Sequence, residues 1–463
     1  MFNSHSKAIL KQTWKMTLPL LLSALSGMLM LFVDRVILAY YSLDAHNAAV
    51  ESMSLGWVFL KGGISLATVV QIFVAQNYGA GHFQALGKTV WQMIWVSLFS
   101  CLFFWTIAIF SPSFLFEADG TKEMQKTYLF WMVSFGPAHV LFTALASFFT
   151  GQGKTRLVST VIFIGNVINS VLCYLLVFGW GELIPSIGIQ GSAISTNAAV
   201  FGQILILGFA FFNKYNRENF GTKNWHFDFS LIKNCFKVGL PNAVFGVLEV
   251  AGWAIFYKMM AGLGTKHLTV AGIVQNILIL VGFFGEGLAG AVAILAGNAI
   301  GAKHPQTVFK FVHAGFILMT LFAIGLALFI WLFHSWIIGC FLCTLDENSQ
   351  ALFYSSLVFG LGNVVIYKYL EGIRLIISGA LTAAADTFFL LIGGTFSIWL
   401  FMVIPVYSFV VIPQASIETA LTLCSIYTLF SAILYSLRFY QKGWQKNHLL
   451  VLQPLTNATS SNN

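Results

Sequence analysis

Long uninterrupted apolar runs dominate this sequence. Twelve of them are about 20 residues or longer, the length that an α-helix needs to cross the hydrocarbon core of a bilayer. A transmembrane β-barrel would instead show alternating segments of about ten residues, whereas these runs are continuous. The pattern therefore predicts an all-α polytopic membrane protein with twelve transmembrane helices. The approximate limits of the runs are 16–40, 52–75, 90–112, 128–149, 157–179, 191–212, 237–260, 270–297, 309–333, 354–379, 388–410 and 417–437.

Composition supports lipid as the solvent of this chain. Of 463 residues, 58% are hydrophobic and 9% are charged, against about 25% charged residues in soluble domains. The net charge of +8 is not concentrated in a polar domain that could form a basic nucleic-acid groove, so membrane lipids are expected partners and nucleic acid is not. Cys340 and Cys343 form a CxxC pair without a second pair or a nearby histidine, which argues against a zinc site.

The distribution of Lys and Arg predicts the topology. With the N-terminus in the cytoplasm, about 16 of the 24 basic residues lie in cytoplasmic loops and about 4 lie outside. Both termini are then cytoplasmic. The first apolar run continues for about 25 residues, which is too long for the core of a signal peptide, so it is interpreted as the first span.

Two landmarks recur at one offset and indicate an internal repeat. Pro19 in the first run corresponds to Pro241 in the seventh, and Gly79 after span two corresponds to Gly301 after span eight; the numbering differs by 222 in both cases. Two six-span halves in the same orientation predict two six-helix bundles related by a pseudo-two-fold axis along the membrane normal, with a central cleft. The predicted units are a first lobe (1–212), a cytoplasmic linker (213–233), a second lobe (234–440) and a disordered cytoplasmic tail (441–463).

Four carboxylates lie inside the predicted spans: Asp34, Glu249, Glu286 and Glu371. Each costs roughly 2.5–3.5 kcal/mol to place at the bilayer centre, so an acid there is a functional candidate by default. Asp34 falls in the outer half of span one. Its neighbour Arg35 is a poor partner, because adjacent helix residues point about 100° apart.

The other acids differ in their surroundings. Glu249 has no basic residue within a turn of its own helix, and the aromatic side chain of Trp253 shares its face. The sequence therefore favours Glu249 over Glu371 as the carrier of a transported proton. Glu371 has Lys368 and Arg374 at i−3 and i+3, so a structural charge cluster remains open for it.

Three further polar residues have competing interpretations. Glu286 is interpreted as a structural acid, with Lys61 of span two as a candidate partner. Asn166 and Asn169 share a face of span five. For this pair, ion coordination and hydrogen bonding between helices both remain open.

Four segments of the chain carry a resemblance to a known family. They are FVDRVILA around Asp34, VAQNYGAG at 74–81, LPNAVFGVLEV at 240–250 and LEGIRLIISGAL at 370–381. Together they resemble the multidrug and toxic compound extrusion (MATE) family, most closely its bacterial NorM-like branch. The resemblance implies a monomeric secondary active antiporter of the bacterial inner membrane. It would export organic cations in exchange for H+ or Na+ by rocker-switch alternating access. It also implies that Asp34, Glu249 and Glu371 couple ions to transport, with Tyr367 as an aromatic near Glu371.

One departure from the family bears on the coupling ion. The polar pair that relatives have in span five is Asn169 with Cys173 here, so one ion-coordinating group is missing. A lone buried glutamate such as Glu249 favours protons, whereas sodium prefers several converging oxygens; Na+ at the coupling acids stays open. No other metal and no organic cofactor is expected.

Two other classes of function fit less well. A flippase for lipid-linked saccharides, from the same superfamily, usually has fourteen spans; twelve spans and acids in the cleft argue against it, while Arg35, Lys368 and Arg374 keep it open. An enzyme is not expected. The sequence has no HExxH or GxSxG motif, and the GKT at 153–155 lacks the first glycine of a phosphate-binding loop.

Overall fold

The computed structural model describes residues 4–116, 121–342 and 347–446. Cys343 of the CxxC pair and residues 447–463 of the predicted tail lie outside this part. Within it, twelve helices are long and apolar enough to cross a membrane, which confirms the predicted all-α architecture. They are α1 (Ser6–Tyr41), α2 (Leu43–Gly79), α3 (Gln84–Leu115), α4 (Lys122–Gly151), α5 (Thr155–Phe178), α6 (Ile189–Phe211), α7 (Phe229–Gly262), α8 (Thr265–Gly301), α9 (Gln306–Leu342), α10 (Gln350–Ala383), α11 (Thr387–Val411) and α12 (Ile417–Tyr440).

The outer surface of the bundle is apolar. Large side chains such as Leu102, Phe114 and Trp331 are 72–87% exposed. A soluble protein does not expose apolar residues in such numbers, and lipid is the environment that stabilises them. Helices α1–α6 are called the N half and α7–α12 the C half, and each half has a buried cluster of its own.

The two halves meet at the ends of α2 and α8. This is the side of the bundle on which α1 begins and α12 ends, called the terminus side; the opposite side is the far side. Gly79 packs against the backbone of Asn298, and Gly301 packs against the backbone of Gln76. Both contacts join positions related by the offset of the repeat, so one contact is the image of the other about the pseudo-two-fold axis.

Side-chain amides extend this symmetric contact. Gln76 Nε2 donates a hydrogen bond to the carbonyl oxygen of Ala383 at 2.6 Å, and Asn298 Nδ2 donates to that of Gly151 at 3.5 Å. Ala383 and Gly151 are the last residues of α10 and α4. Each half therefore caps a helix of the other on the terminus side.

The repeat keeps its turn geometry but not its length. Gly81 and Lys303, which are related by the offset of 222, have positive φ values of 77° and 60°. Gly153 and Ala385, which are related by an offset of 232, have φ values of 79° and 58°. The offset therefore grows between α2 and α5. Two C-half helices are longer than their counterparts: α9 has 37 residues against 32 in α3, and α10 has 34 against 30 in α4.

Contacts between the halves continue from the terminus side towards the middle of the bundle. Leu66 of α2 lies against Gly239 of α7, and further along the same two helices Lys61 lies against Gly246. The cleft between the halves is therefore closed at the terminus side.

The segment between the halves is shorter than predicted. It contains a short helix (Lys214–Asn219), and α7 already begins at Phe229, inside the predicted linker of 213–233. The boundary is set by Asp228, whose Oδ1 accepts a hydrogen bond from the backbone N–H of Leu231 and so caps α7. Asp228 Oδ2 also pairs with Lys88 of α3 at 2.7 Å.

The start of the tail is ordered, so the prediction of disorder is wrong for residues 441–446. A 3-10 helix spans Gly443–Lys446. The ring of Trp444 is 1% exposed and stacks on Phe439 at 5.4 Å between ring centroids. Burial of a large aromatic ring stabilises this segment.

We expect Asp228→Ala to lower the free energy of unfolding by about 1–2 kcal/mol, because it removes a helix cap. The hydrogen bond from Lys88 lowers the pKa of Asp228 below its usual value. The stabilisation is therefore present at neutral pH and is lost as the pH falls below about 4. Thermal unfolding in detergent at pH 7 and at about pH 3 checks this. Asp228→Asn keeps a cap acceptor, so its stability should lie between those of Asp228→Ala and the unmodified protein. Equal stability of Asp228→Ala and the unmodified protein at pH 7 would contradict the role of Asp228 as a helix cap.

Candidate functional site

Asp34 lines a cavity inside the N half. Its side chain is carried by the last two turns of α1 and is 6% exposed. The cavity has a volume of about 220 Å³ and is bounded by α1, α2, α4, α5 and α6. Apolar side chains form most of its wall, among them Met30, Met53, Trp57 and Phe142. A carboxylate in such a wall is the expected attraction for a cation.

The Asp34 carboxyl group has no basic partner. It lies beside the side chains of Asn169, Cys173 and Thr196, and it forms no ion pair with any described lysine or arginine. Arg35 lines the same cavity without pairing to it, as the helix geometry predicts.

Several oxygen atoms near Asp34 lack hydrogen-bond partners among the described residues. They are Asp34 Oδ1, Asn169 Oδ1 and Ser192 Oγ, and all are buried. Buried polar atoms are nearly always paired. A concentration of unpaired oxygens around one carboxylate is therefore chemically suited to a proton or a hard cation such as Na+.

The two asparagines of α5 also connect helices. Asn166 lines the Asp34 cavity and donates from Nδ2 to Ser26 Oγ of α1 at 2.7 Å. Asn169 donates from Nδ2 to Thr196 Oγ1 of α6 at 3.0 Å. Each amide nitrogen thus joins two helices, while the amide oxygen of Asn169 remains without a partner in the described part of the chain.

In the C half the acids are paired with bases. Arg374 Nη2 lies 3.0 Å from Glu249 Oε1 and 3.9 Å from Glu371 Oε1, and Lys368 Nζ lies 2.5 Å from Glu371 Oε2. The prediction that Glu249 is a lone acid is wrong, because the guanidinium that neutralises it comes from another helix. The charge cluster considered for Glu371 is present.

Glu286 of α8 faces the same cluster. The charged groups that act on its carboxyl are, from the strongest, Lys61, Glu371, Lys368 and Glu249. Within the described part of the chain, neither Lys61 nor any other base forms an ion pair with Glu286 within 4.0 Å. Lys61 is thus the dominant opposite charge at a longer distance.

Two aromatic residues singled out from the sequence meet beside this cluster. Trp253 of α7 and Tyr367 of α10 make an edge-to-face contact at 6.1 Å, and Lys368 Nζ lies 5.7 Å from the centre of the Tyr367 ring. Tyr367 is 4% exposed. These rings form an apolar wall next to Glu249 and Glu371.

One titratable residue of the site was missed. His139 of α4 lines the Asp34 cavity. It is related to Glu371 by the same offset that relates Gly153 to Ala385, so the two side chains occupy equivalent positions in the two halves. Extending the repeat past span three would have pointed to it.

No group of three or more His, Cys, Asp or Glu side chains among the described residues could hold a metal ion. Among the described residues, the site thus combines one unpaired acid in the N half with a C-half cluster in which Glu249 and Glu371 are paired and Glu286 is not.

Comparison with known proteins agrees with this architecture. The chain is 23% identical over 398 residues to a probable multidrug resistance protein NorM of Thermotoga maritima, covering 84% of this chain and 83% of that protein. It is 26% identical over 392 residues to the corresponding protein of Aromatoleum aromaticum, covering 82% of each. A multidrug resistance MATE family transporter solved in an outward-facing conformation matches the fold with a TM-score of 0.80 at 16% identity, covering 97% of this chain and all of that one.

The MatE family model matches the chain twice, at residues 19–175 and 241–408. The two matches begin at Pro19 and Pro241, which are the landmarks of the repeat. Because the matches cover more than half of the sequence, with one in each half, the chain belongs to the MatE family.

Proposed function

We propose that this transporter is a multidrug efflux antiporter that exports organic cations in exchange for H+ or Na+. The observation that carries the proposal is the Asp34 carboxylate in a mainly apolar cavity, where no described base pairs with it and where Asn169 Oδ1 and Ser192 Oγ also lack a described partner. Relatives named as multidrug resistance proteins support the substrate class.

The mechanism follows from competition for one acid. A lipophilic cation is attracted by the Asp34 carboxylate and by the faces of neighbouring aromatic rings such as Trp57. A proton or Na+ that binds at Asp34 neutralises this attraction and releases the cation. Only such differential binding to two conformations can drive the exchange of states.

The state of the cleft fits this cycle. If the terminus side is cytoplasmic, as the distribution of basic residues predicts, the contact of Gly79 and Gly301 closes the cytoplasmic end. We also propose that the protein lies in a bacterial inner membrane, because its named relatives are bacterial multidrug resistance proteins, and that it acts as a monomer, as the family resemblance implies.

The choice between H+ and Na+ rests on Asp34. The argument for protons from a lone Glu249 no longer applies, because Arg374 pairs with that acid. The unpaired oxygens of Asn169 and Ser192 support a site that can also accept Na+.

The observations count against a flippase for lipid-linked saccharides. Of the three bases that could have bound a pyrophosphate, Lys368 and Arg374 are each paired with a glutamate. A base and an acid in an ion pair are neutral as a unit, so the pair attracts a phosphate less than an unpaired base would. The third, Arg35, lines the Asp34 cavity, where a carboxylate would repel a phosphate.

Reconstituted vesicles test the proposal. We expect ethidium to move against its gradient when a proton or a sodium gradient is imposed separately, with at least one of the two effective. Absence of movement under both gradients, with folded protein present, would refute antiport. Movement of a lipid-linked saccharide instead of ethidium would establish the flippase.

A further inference from the structure

The charge cluster of the C half is not neutral on its own. Three glutamates, Glu249, Glu286 and Glu371, face two bases, Lys368 and Arg374. The two bases form the ion pairs with Glu249 and Glu371. One negative charge, nominally that of Glu286, is left uncompensated within this half.

The missing positive charge comes from the N half. Lys61 lies on α2 and crosses the boundary between the halves to contact α7; a Cβ placed on Gly246 would lie 3.9 Å from Lys61 Cγ. Lys61 is also the strongest of the charges that act on Glu286. The whole cluster is therefore balanced only while α2 lies against α7.

The side chain of Lys61 can leave this position. The residue is exposed rather than enclosed, and it makes no ion pair within 4.0 Å in the described part of the chain. Its position on α2 ties its movement to the N half, whereas all five other charges belong to the C half.

We propose that Lys61 is a tethered counter-ion for the C-half cluster, which occupies the place of a cationic ligand while the cleft is closed at the terminus side. When the halves reorient, Lys61 is withdrawn with α2. The cluster then carries one net negative charge, and an organic cation binds beside Trp253 and Tyr367 to neutralise it. This inference rests on the proposed function and adds a residue that links cation affinity to conformation.

The physical basis is that charge balance differs between the two states. A cation at the cluster competes with Lys61 in one state and replaces it in the other, so its affinity differs between them. Such a difference is what a ligand needs to shift a conformational equilibrium.

Binding of tetraphenylphosphonium to the purified full-length protein tests the inference. We expect Lys61→Gln to increase affinity about tenfold, because a competing charge is removed, and Lys61→Arg to leave it unchanged. In a Glu286→Gln background the same Lys61→Gln change should have little effect, since the two remaining acids are paired with Lys368 and Arg374 and leave no charge for which Lys61 and the cation compete. Lys258→Gln, an exposed lysine on α7 outside the cluster, is the matched control.

Three results would overturn the proposal: unchanged affinity in Lys61→Gln, an equal gain in the Glu286→Gln background, or an equal gain in Lys258→Gln. A second measurement uses spin labels at residues 82 and 303, on the terminus-side turns of the two halves. Lys61→Gln should reduce the population with a short distance, and Glu286→Gln should remove that effect. If the unmodified protein binds no cation, the proposed function fails. Independently of that result, additive effects of Lys61→Gln and Glu286→Gln on the spin-label distance would refute the coupling of Lys61 to Glu286.

Discussion

Asp34→Asn is expected to reduce ion-driven efflux of organic cations by at least about tenfold. The substitution keeps the size of the side chain and removes its charge and its ability to bind a proton. A unit charge about 4 Å from a cation is worth up to about 4 kcal/mol at an effective dielectric constant of 20, and about 1.4 kcal/mol already corresponds to tenfold. Because no described base is paired with Asp34, no ion pair cancels this charge in the unmodified protein.

Initial rates of ethidium efflux from vesicles containing equal amounts of protein measure the effect. Asp34→Glu retains the acid and should retain part of the activity. Asp44→Asn, which removes an exposed acid from the first turn of α2, should transport like the unmodified protein. Efflux by Asp34→Asn within twofold of that by Asp44→Asn would exclude Asp34 as the coupling acid.

Gly79→Ala and Gly301→Ala are each expected to open the terminus side. A Cβ at Gly79 would overlap the carbonyl oxygen of Asn298, and a Cβ at Gly301 would overlap that of Gln76. Backbone atoms cannot rotate away as a side chain can, so the halves must separate. Overpacking costs about 1–3 kcal/mol, which changes the ratio of the two states by roughly 5–150-fold.

The spin-label distance between residues 82 and 303 should increase in both variants, and efflux should fall. Because the two contacts are related by symmetry, the single substitutions should have similar effects. Gly62→Ala is the control, since a Cβ there meets nothing within 4 Å. A distance distribution of Gly79→Ala that matches that of Gly62→Ala would show that the contact does not hold the halves together.

The twelve-helix architecture could be predicted from the sequence because the thickness of the bilayer sets the length of each apolar run. The repeat was accessible for a similar reason: Pro19 and Gly79 recur as local landmarks whose spacing survives divergence. Asp228 could have marked the start of α7, since an aspartate directly before an apolar run is a capping signal. Trp444, an aromatic residue in an otherwise polar tail, could have indicated that the tail begins as an ordered segment.

The charge pairing of the site could not be predicted from the sequence. Glu249 and Arg374 are 125 residues apart and lie on different helices, so inspection of each helix alone leaves the acid without a partner. The same limit applies to Lys61, whose role depends on how α2 packs against α7. Local spacing identified which acids are in the membrane, but the arrangement of the helices decides which of them carries an uncompensated charge.

Two helices of the C half, α9 and α10, are longer than their N-half counterparts, and the added length lies on the far side. The starts of α3 and α9 keep the smaller offset of the repeat, whereas the ends of α4 and α10 have the larger one, so the extra residues of α9 and α10 extend towards the far side. At about 1.5 Å per residue, four to five residues add about 6–8 Å. The C-half helices α9 and α10 therefore reach further towards the far side than α3 and α4, their counterparts in the N half.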